Sequence, residues 1–154
     1  MKSVIEYVHT NIIAQDWKQL ARFYIEVFGC TPVYPERDLA GDWIDRLTNM
    51  KNTKIRGIHL RLPGNDKGPT LEIFEYNHQT GMTRARIINE QGFGHIAFRV
   101  DDMEGILNKL LQYGGTKYGE LVKKEIENLG TITVIYTRDP EGNIIELQHL
   151  ITPS

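Results

Sequence analysis

The chain has 154 residues, of which 40% are hydrophobic, and this supports one domain or two small, intimately packed modules. A formal net charge of −2 gives no reason to expect a nucleic acid or an anionic membrane surface as partner. The one cysteine, Cys30, excludes an internal disulfide. With no apolar stretch that predicts a signal peptide or a membrane helix, the expected location is cytoplasmic.

The chain opens with a predicted strand and a predicted helix. A strand is expected over residues 5–13, with His9 and Asn11 on one face. Asp16 is a good N-cap for the following helix, and Gly29 supplies a C-terminal stop. Apolar residues recur between them at helical spacing and predict one buried stripe, formed by Trp17, Leu20, Ala21, Tyr24, Val27 and Phe28.

Three further strands complete the first half. They are predicted over residues 31–34, 55–62 and 70–76. The second of these strands carries His59 and the third carries Glu72. Residues 35–53 are polar and rich in turn residues, which predicts a lid or a short helix.

The second half repeats this order. A strand is expected over residues 93–100, with His95 and Arg99 on one face. Asp101 and Asp102 as caps and Gly114-Gly115 as a stop enclose a predicted helix. Its apolar stripe is formed by Met103, Ile106, Leu107, Leu110 and Leu111. Later strands are predicted over residues 132–137 and 144–150, and Glu146 lies on the last of them. Each half therefore carries a His on its first strand and a Glu on its last.

This repetition predicts an α+β fold made of two modules. Module one spans residues 1–78, the connection 79–91 is expected to run over the surface and pack by Ile87 and Ile88, and module two spans 92–154. Neither half is large enough to be stable alone, so we expect the two sheets to join in a single domain.

The matched His and Glu residues predict a metal site. Taken singly, each could be an ordinary surface carboxylate or a half-buried imidazole. A duplicated module that folds back about a pseudo-twofold axis would bring the equivalent residues together. Two imidazoles and two carboxylates form a complete ligand shell for a divalent ion. The predicted ligands are His9, Glu72, His95 and Glu146.

Four segments of the chain resemble the vicinal oxygen chelate superfamily, which includes glyoxalase I, methylmalonyl-CoA epimerase, extradiol dioxygenases and the fosfomycin and bleomycin resistance proteins. The segments are VHTN at 8–11, RFYIEVFG at 22–29, GHIAFRVDD at 94–102 and DPEGNIIEL at 139–147. The resemblance covers nearly the whole chain. It implies paired βαβββ modules that form a cup-shaped mixed sheet around a metal, with the two His and two Glu on the four ligand positions.

Within the superfamily, two His and two Glu look most like glyoxalase I. Fosfomycin thiol transferases and extradiol dioxygenases use two His and one Glu, and epimerases generally place Gln where this chain has Glu72. Bleomycin resistance proteins bind the drug without this metal set. The segment 36–69 is longer than in compact bacterial glyoxalases, and no glutathione-binding set can be matched there.

The resemblance implies a metal-dependent lyase or isomerase that acts on a small oxygen-chelating substrate through a metal-stabilised enediolate. Zinc, nickel, cobalt, manganese or iron would suit the donors. Glu146 or Glu72 is the expected base, and the sequence does not choose between them. Asn11, His59 and Arg99 are candidates for substrate binding.

Two other functions and a dimer stay open. The alternatives are a metal-dependent dioxygenase and a non-catalytic, resistance-type protein that binds a drug or metabolite. The resemblance implies a homodimer, and Tyr7, Trp43 and Met82 are large apolar residues outside any core stripe that could form its interface. The metal site could be built within one chain or between two chains.

Overall fold

A computed structural model describes residues 3–81 and 84–153, and the chain divides into two compact units, Met1–Gly81 and Met82–Ser154. The elements of the first unit are β1 (His9–Ile13), α1 (Trp17–Phe28), β2 (Thr31–Ala40), α2 (Asp42–Thr48), β3 (Lys54–Arg61) and β4 (Thr70–Tyr76). Those of the second are β5 (His95–Arg99), α3 (Met103–Gln112), β6 (Thr116–Lys117), β7 (Val122–Ile126), β8 (Gly130–Arg138) and β9 (Ile144–Ile151). Within the described ranges, no helix is long and apolar enough to cross a membrane.

The first unit is a four-stranded mixed sheet covered by α1. Its strand order is β1-β4-β3-β2, with β1 parallel to β4 and the other pairs antiparallel. The side chain of Asp16 caps α1 by accepting hydrogen bonds from the Lys18 and Gln19 amides, and Gly29 ends it with a φ of 68°. All six stripe residues are buried, as predicted, and so is Phe23, which the spacing missed. The helix packs on β3 and β4 and leaves the other face of the sheet free of α1.

Two strands of this unit differ from their predicted bounds. The strand expected over 5–13 begins only at His9, because β4 begins opposite it at Thr70 and residues 5–8 lie beyond its end. The strand expected over 31–34 continues to Ala40 as β2, with a shift of register against β3 between Val33 and Arg37. The short helix expected in 35–53 is α2.

The second unit holds a five-stranded mixed sheet. The order is β5-β9-β8-β6, and β7 also pairs with β8. Both β6 and β7 run antiparallel to β8, against successive parts of it, so together they occupy the place of one broken strand. Sequence patterning missed both strands. Strand β6 has only two residues, and β7 is exposed along its whole length and carries charged residues where a buried strand would be apolar.

Two segments of this unit bury fewer apolar side chains than the sequence predicts. In α3, Leu107 and Leu110 are buried but Leu111 is 40% exposed. Ile87, expected to pack in the connection, is also exposed. The buried side of α3 is therefore narrower than that of α1.

Candidate metal centre

In the first unit, two imidazoles and one carboxylate come together. His59 Nε2 lies 2.7 Å from Glu72 Oε2, and His9 Nε2 lies 3.5 Å from Glu72 Oε1. One donor atom from each of the three residues lies within 4.8 Å of the others. Neighbouring donors around an ion with bonds of 2.0–2.2 Å are about 2.8–3.6 Å apart, from octahedral to tetrahedral geometry. Small adjustments of the side chains would therefore place all three donors on one ion.

Strand register explains why these residues meet. In the antiparallel pair β3 and β4, His59 is directly opposite Glu72. In the parallel pair β1 and β4, Asn11 is opposite Glu72, and His9 lies two residues earlier on the same face of β1. The neighbours of Glu72, Leu71 and Ile73, are fully buried on the opposite face of the strand. Alternation therefore turns the carboxylate away from α1 and toward the imidazoles.

Hydrogen bonds fix the orientation of this cluster. Asn11 Nδ2 donates to Glu72 Oε1 over 2.8 Å, and Thr70 Oγ1 lies 2.9 Å from His59 Nδ1. Burial lowers the pKa of His59 below its ordinary value, although the negative charge of Glu72 acts in the opposite direction. The neutral imidazole that a metal ion requires is therefore favoured at neutral pH.

The second unit places a His and a Glu in the same relation. His95 Nε2 lies 3.1 Å from Glu146 Oε2, and Gln148 Nε2 donates to Glu146 Oε1 over 3.0 Å. Tyr136 is opposite Glu146 in the sheet, and its ring meets the His95 ring edge-on with 5.1 Å between centroids. The pKa of Tyr136 is raised, chiefly by burial and further by the charge of Glu146 and a hydrogen bond to it.

The two units are equivalent position by position around these pairs. Strand register matches His9 with His95, Glu72 with Glu146, His59 with Tyr136, Asn11 with Ala97 and Thr70 with Ile144. The His–Glu pair is therefore common to both units. The first unit adds a second imidazole, and the second unit has a phenol at that position.

Within each unit, one of the proposed His ligands lies beside one of the proposed Glu ligands. That all four ligands bind one ion stays a prediction. Of the residues suggested for substrate binding, Asn11 and His59 contact Glu72 directly, whereas Arg99 is exposed on β5. Sequence reasoning assigned His59 to the substrate and missed its place beside the carboxylate. The signal was available, since a hairpin joining 55–62 to 70–76 puts His59 near Glu72 in several registers.

Comparison with known proteins places most of the chain in one family model. Residues 6–147 match the model described as the Glyoxalase/Bleomycin resistance protein/Dioxygenase superfamily. A protein of Synechocystis sp. described as a probable lactoylglutathione lyase is 26% identical over 140 residues, which are 91% of this chain and 92% of that protein.

Solved structures show the same fold at low sequence identity. A glyoxalase family protein from Bacillus cereus has a TM-score of 0.83 and 19% identity, with 97% of each chain covered. A fosfomycin resistance protein from Listeria monocytogenes has a TM-score of 0.58 and 16% identity, covering 98% of this chain and 96% of its own. The predicted α+β glyoxalase-like fold is therefore confirmed.

Proposed function

The chain belongs to the Glyoxalase/Bleomycin resistance protein/Dioxygenase superfamily, and from this premise we propose that it is a metal-dependent lyase or isomerase of the glyoxalase type. One observation carries the proposal: each unit pairs a His on its first strand with a Glu on its last, at 3.5 Å and 3.1 Å. Carboxylates that merely face solvent have no physical reason to recur beside an imidazole at the equivalent register positions of both units.

The donors fit a divalent transition metal. We propose that His9, Glu72, His95 and Glu146 hold one ion, either within one chain or between two chains. Imidazole nitrogen and carboxylate oxygen suit zinc, nickel, cobalt, manganese and iron. The bound metal would supply a Lewis acid that polarises adjacent oxygens of the substrate.

The side chains around the two carboxylates would perform the proton chemistry. Glu72 or Glu146 would take a proton from the carbon next to a substrate oxygen and return it to the neighbouring carbon. Hydrogen bonds from Asn11 to Glu72 and from Gln148 to Glu146 aim the carboxylate oxygens. Arg99, exposed on the strand that carries His95, would bind an anionic group of the substrate.

The substrate class follows from this chemistry. The hemithioacetal of a 2-oxoaldehyde and a thiol presents adjacent oxygens. Moving one proton between its two carbons and one proton between its two oxygens converts it to a 2-hydroxy thioester without an added oxidant. The Synechocystis relative is described as a probable lactoylglutathione lyase, and this description favours a thioester-forming reaction. Acyl-CoA epimers are the second class to test.

Elemental analysis of protein purified without added metal or a histidine tag is the first test, followed by thioester formation from a panel of hemithioacetals. Glu72→Gln and Glu146→Gln should each lower kcat, and the larger loss identifies the base. A metal-loaded protein that turns over neither hemithioacetals nor acyl-CoA epimers would contradict the proposal. Oxygen uptake by the iron-loaded protein would instead indicate a dioxygenase, and ligand binding without turnover a resistance-type binding protein.

We also propose that the protein is a homodimer. The segment before β1 exposes apolar side chains, including Val4 and Ile5 at more than 90%, and Tyr7 and Trp43 are exposed as well. Met82, the third residue expected at the interface, lies outside the described residues. Light scattering at micromolar concentration tests this, and a mass near 17.7 kDa with metal and activity retained would contradict it.

A further inference from the structure

We propose that His59 is a further ligand of the same ion, so that His9, His59 and Glu72 keep a divalent ion bound even when the donors of the second unit are removed. This inference rests on the proposed function, because it concerns the same ion. It adds an imidazole that the four matched ligands do not include, and it makes the two units unequal in the number of donors that they supply.

Distance is the first support. His59 Nε2 is closer to the Glu72 carboxylate than His9 Nε2 is, at 2.7 Å against 3.5 Å. The two imidazole rings meet edge-on with their centroids 5.3 Å apart. An ion bound by both His9 and Glu72 would therefore lie within reach of the His59 nitrogen.

Orientation of the His59 ring is the second support. Metal-binding histidines almost always use their other ring nitrogen in a hydrogen bond that fixes the ring. Thr70 Oγ1 occupies that place, 2.9 Å from His59 Nδ1, and Thr70 is itself buried. With Nδ1 held by the hydroxyl, Nε2 is directed at the carboxylate. His59 also lies on β3, which is paired on both sides, so its backbone is fixed.

The second unit provides an internal contrast. At the equivalent positions it has Tyr136 in place of His59 and Ile144 in place of Thr70. Both the donor and the hydroxyl that orients it are thus missing from the second unit. The imidazole and the hydroxyl are present together in one unit and absent together from the other.

The experiment removes the donors of the second unit from the full chain. Zn²⁺ binding to the His95→Ala/Glu146→Gln variant is measured by calorimetry and by chelator competition. The proposal expects one ion per chain, bound more weakly than in the wild type. Adding His59→Ala should weaken this remaining site at least 100-fold, and adding Thr70→Val should weaken it by about 10- to 100-fold. His78→Ala, which removes an exposed imidazole from the same unit, is the matched control and should leave it unchanged.

The outcomes separate this inference from the proposed function. Wild-type protein that binds no metal would refute both. Wild type that binds one ion while the double variant binds none would overturn the role of His59 and leave the four-ligand site standing. If the double variant keeps its ion after His59→Ala is added, then His59 forms a hydrogen bond with Glu72 and is not a metal ligand. Circular dichroism of each variant checks folding, and X-ray absorption of the Zn²⁺-loaded double variant should count two imidazoles, falling to one on His59→Ala.

Discussion

Gly57→Ala is expected to damage the first unit at the point where its site is built. Gly57 lies on β3 opposite Phe74, two residues before His59 on the same face. A Cβ added there would sit 2.0 Å from the Ile73 carbonyl oxygen and 2.7 Å from Cδ1 of Phe74. Ordinary contact begins at 3.4 Å, so β3 and β4 would have to separate by about 1.4 Å.

That separation sets the size of the effect. It would stretch the adjacent backbone hydrogen bonds beyond useful length, and each contributes about 1 kcal/mol. Overpacking adds roughly 1–3 kcal/mol. We expect a loss of about 3 kcal/mol in the free energy of unfolding, measured by urea denaturation, and weaker metal binding because His59 and Glu72 lose their register. Gly81→Ala is the matched control: nothing lies within 4 Å of its added Cβ, so its stability should stay within about 0.5 kcal/mol of the wild type. A Gly57→Ala protein as stable as this control would refute the reasoning.

Three further outcomes are expected. Zn²⁺ at 100 times its Kd should raise the free energy of unfolding by about 2.7 kcal/mol, reversibly on adding a chelator, and an unchanged melting temperature would argue against a site in the folded state. Asp139→Ala should cost about 2–4 kcal/mol in urea denaturation, because this buried carboxylate accepts hydrogen bonds from the Glu141 and Asn143 amides and from the Asn143 side chain; wild-type stability would contradict that role. Burial raises the pKa of Cys30 from 9.0 to about 12, so its thiol should resist a disulfide reagent at pH 8 until urea unfolds the chain. Since the unfolded thiol ionises first, this contribution to stability is present below pH 9 and is lost as the pH rises toward 12; rapid labelling of the native protein would contradict the assignment.

Local signals in the sequence were sufficient wherever one short segment decides the structure. Helix α1 was predicted from Asp16 to Gly29 because its caps and its apolar spacing agree. The bounds of β4 were predicted because a Pro- and Gly-rich loop precedes it and alternation runs through it.

Features that depend on pairing between segments were not predictable in the same way. Whether residues 5–8 join a strand depends on where β4 begins, and a single segment does not contain that information. The exposed β7 is a strand because β8 pairs with it, not because its own pattern favours one. Alternation gave the face of His59, but its position opposite Glu72 depends on the register of the hairpin.

In the candidate site too, the part that recurs in both halves of the sequence was predictable, and the part that depends on strand pairing was not. The His–Glu repeat was visible because it recurs on matched strands of the two halves, and each pair lies close together in its own unit. The second imidazole of the first unit and the phenol of the second break that repeat. The sequence repeat therefore indicates the His–Glu pairs that the two units share, but not His59 and Tyr136, by which the units differ.

A crystal structure of the metal-loaded protein, with the ion located by its anomalous scattering, tests the central claim most directly. One ion is expected with His9, Glu72, His95 and Glu146 as ligands at about 2.0–2.2 Å, whether they come from one chain or from two. Two ions bound separately at the two His–Glu pairs, or none at either pair, would contradict the claim.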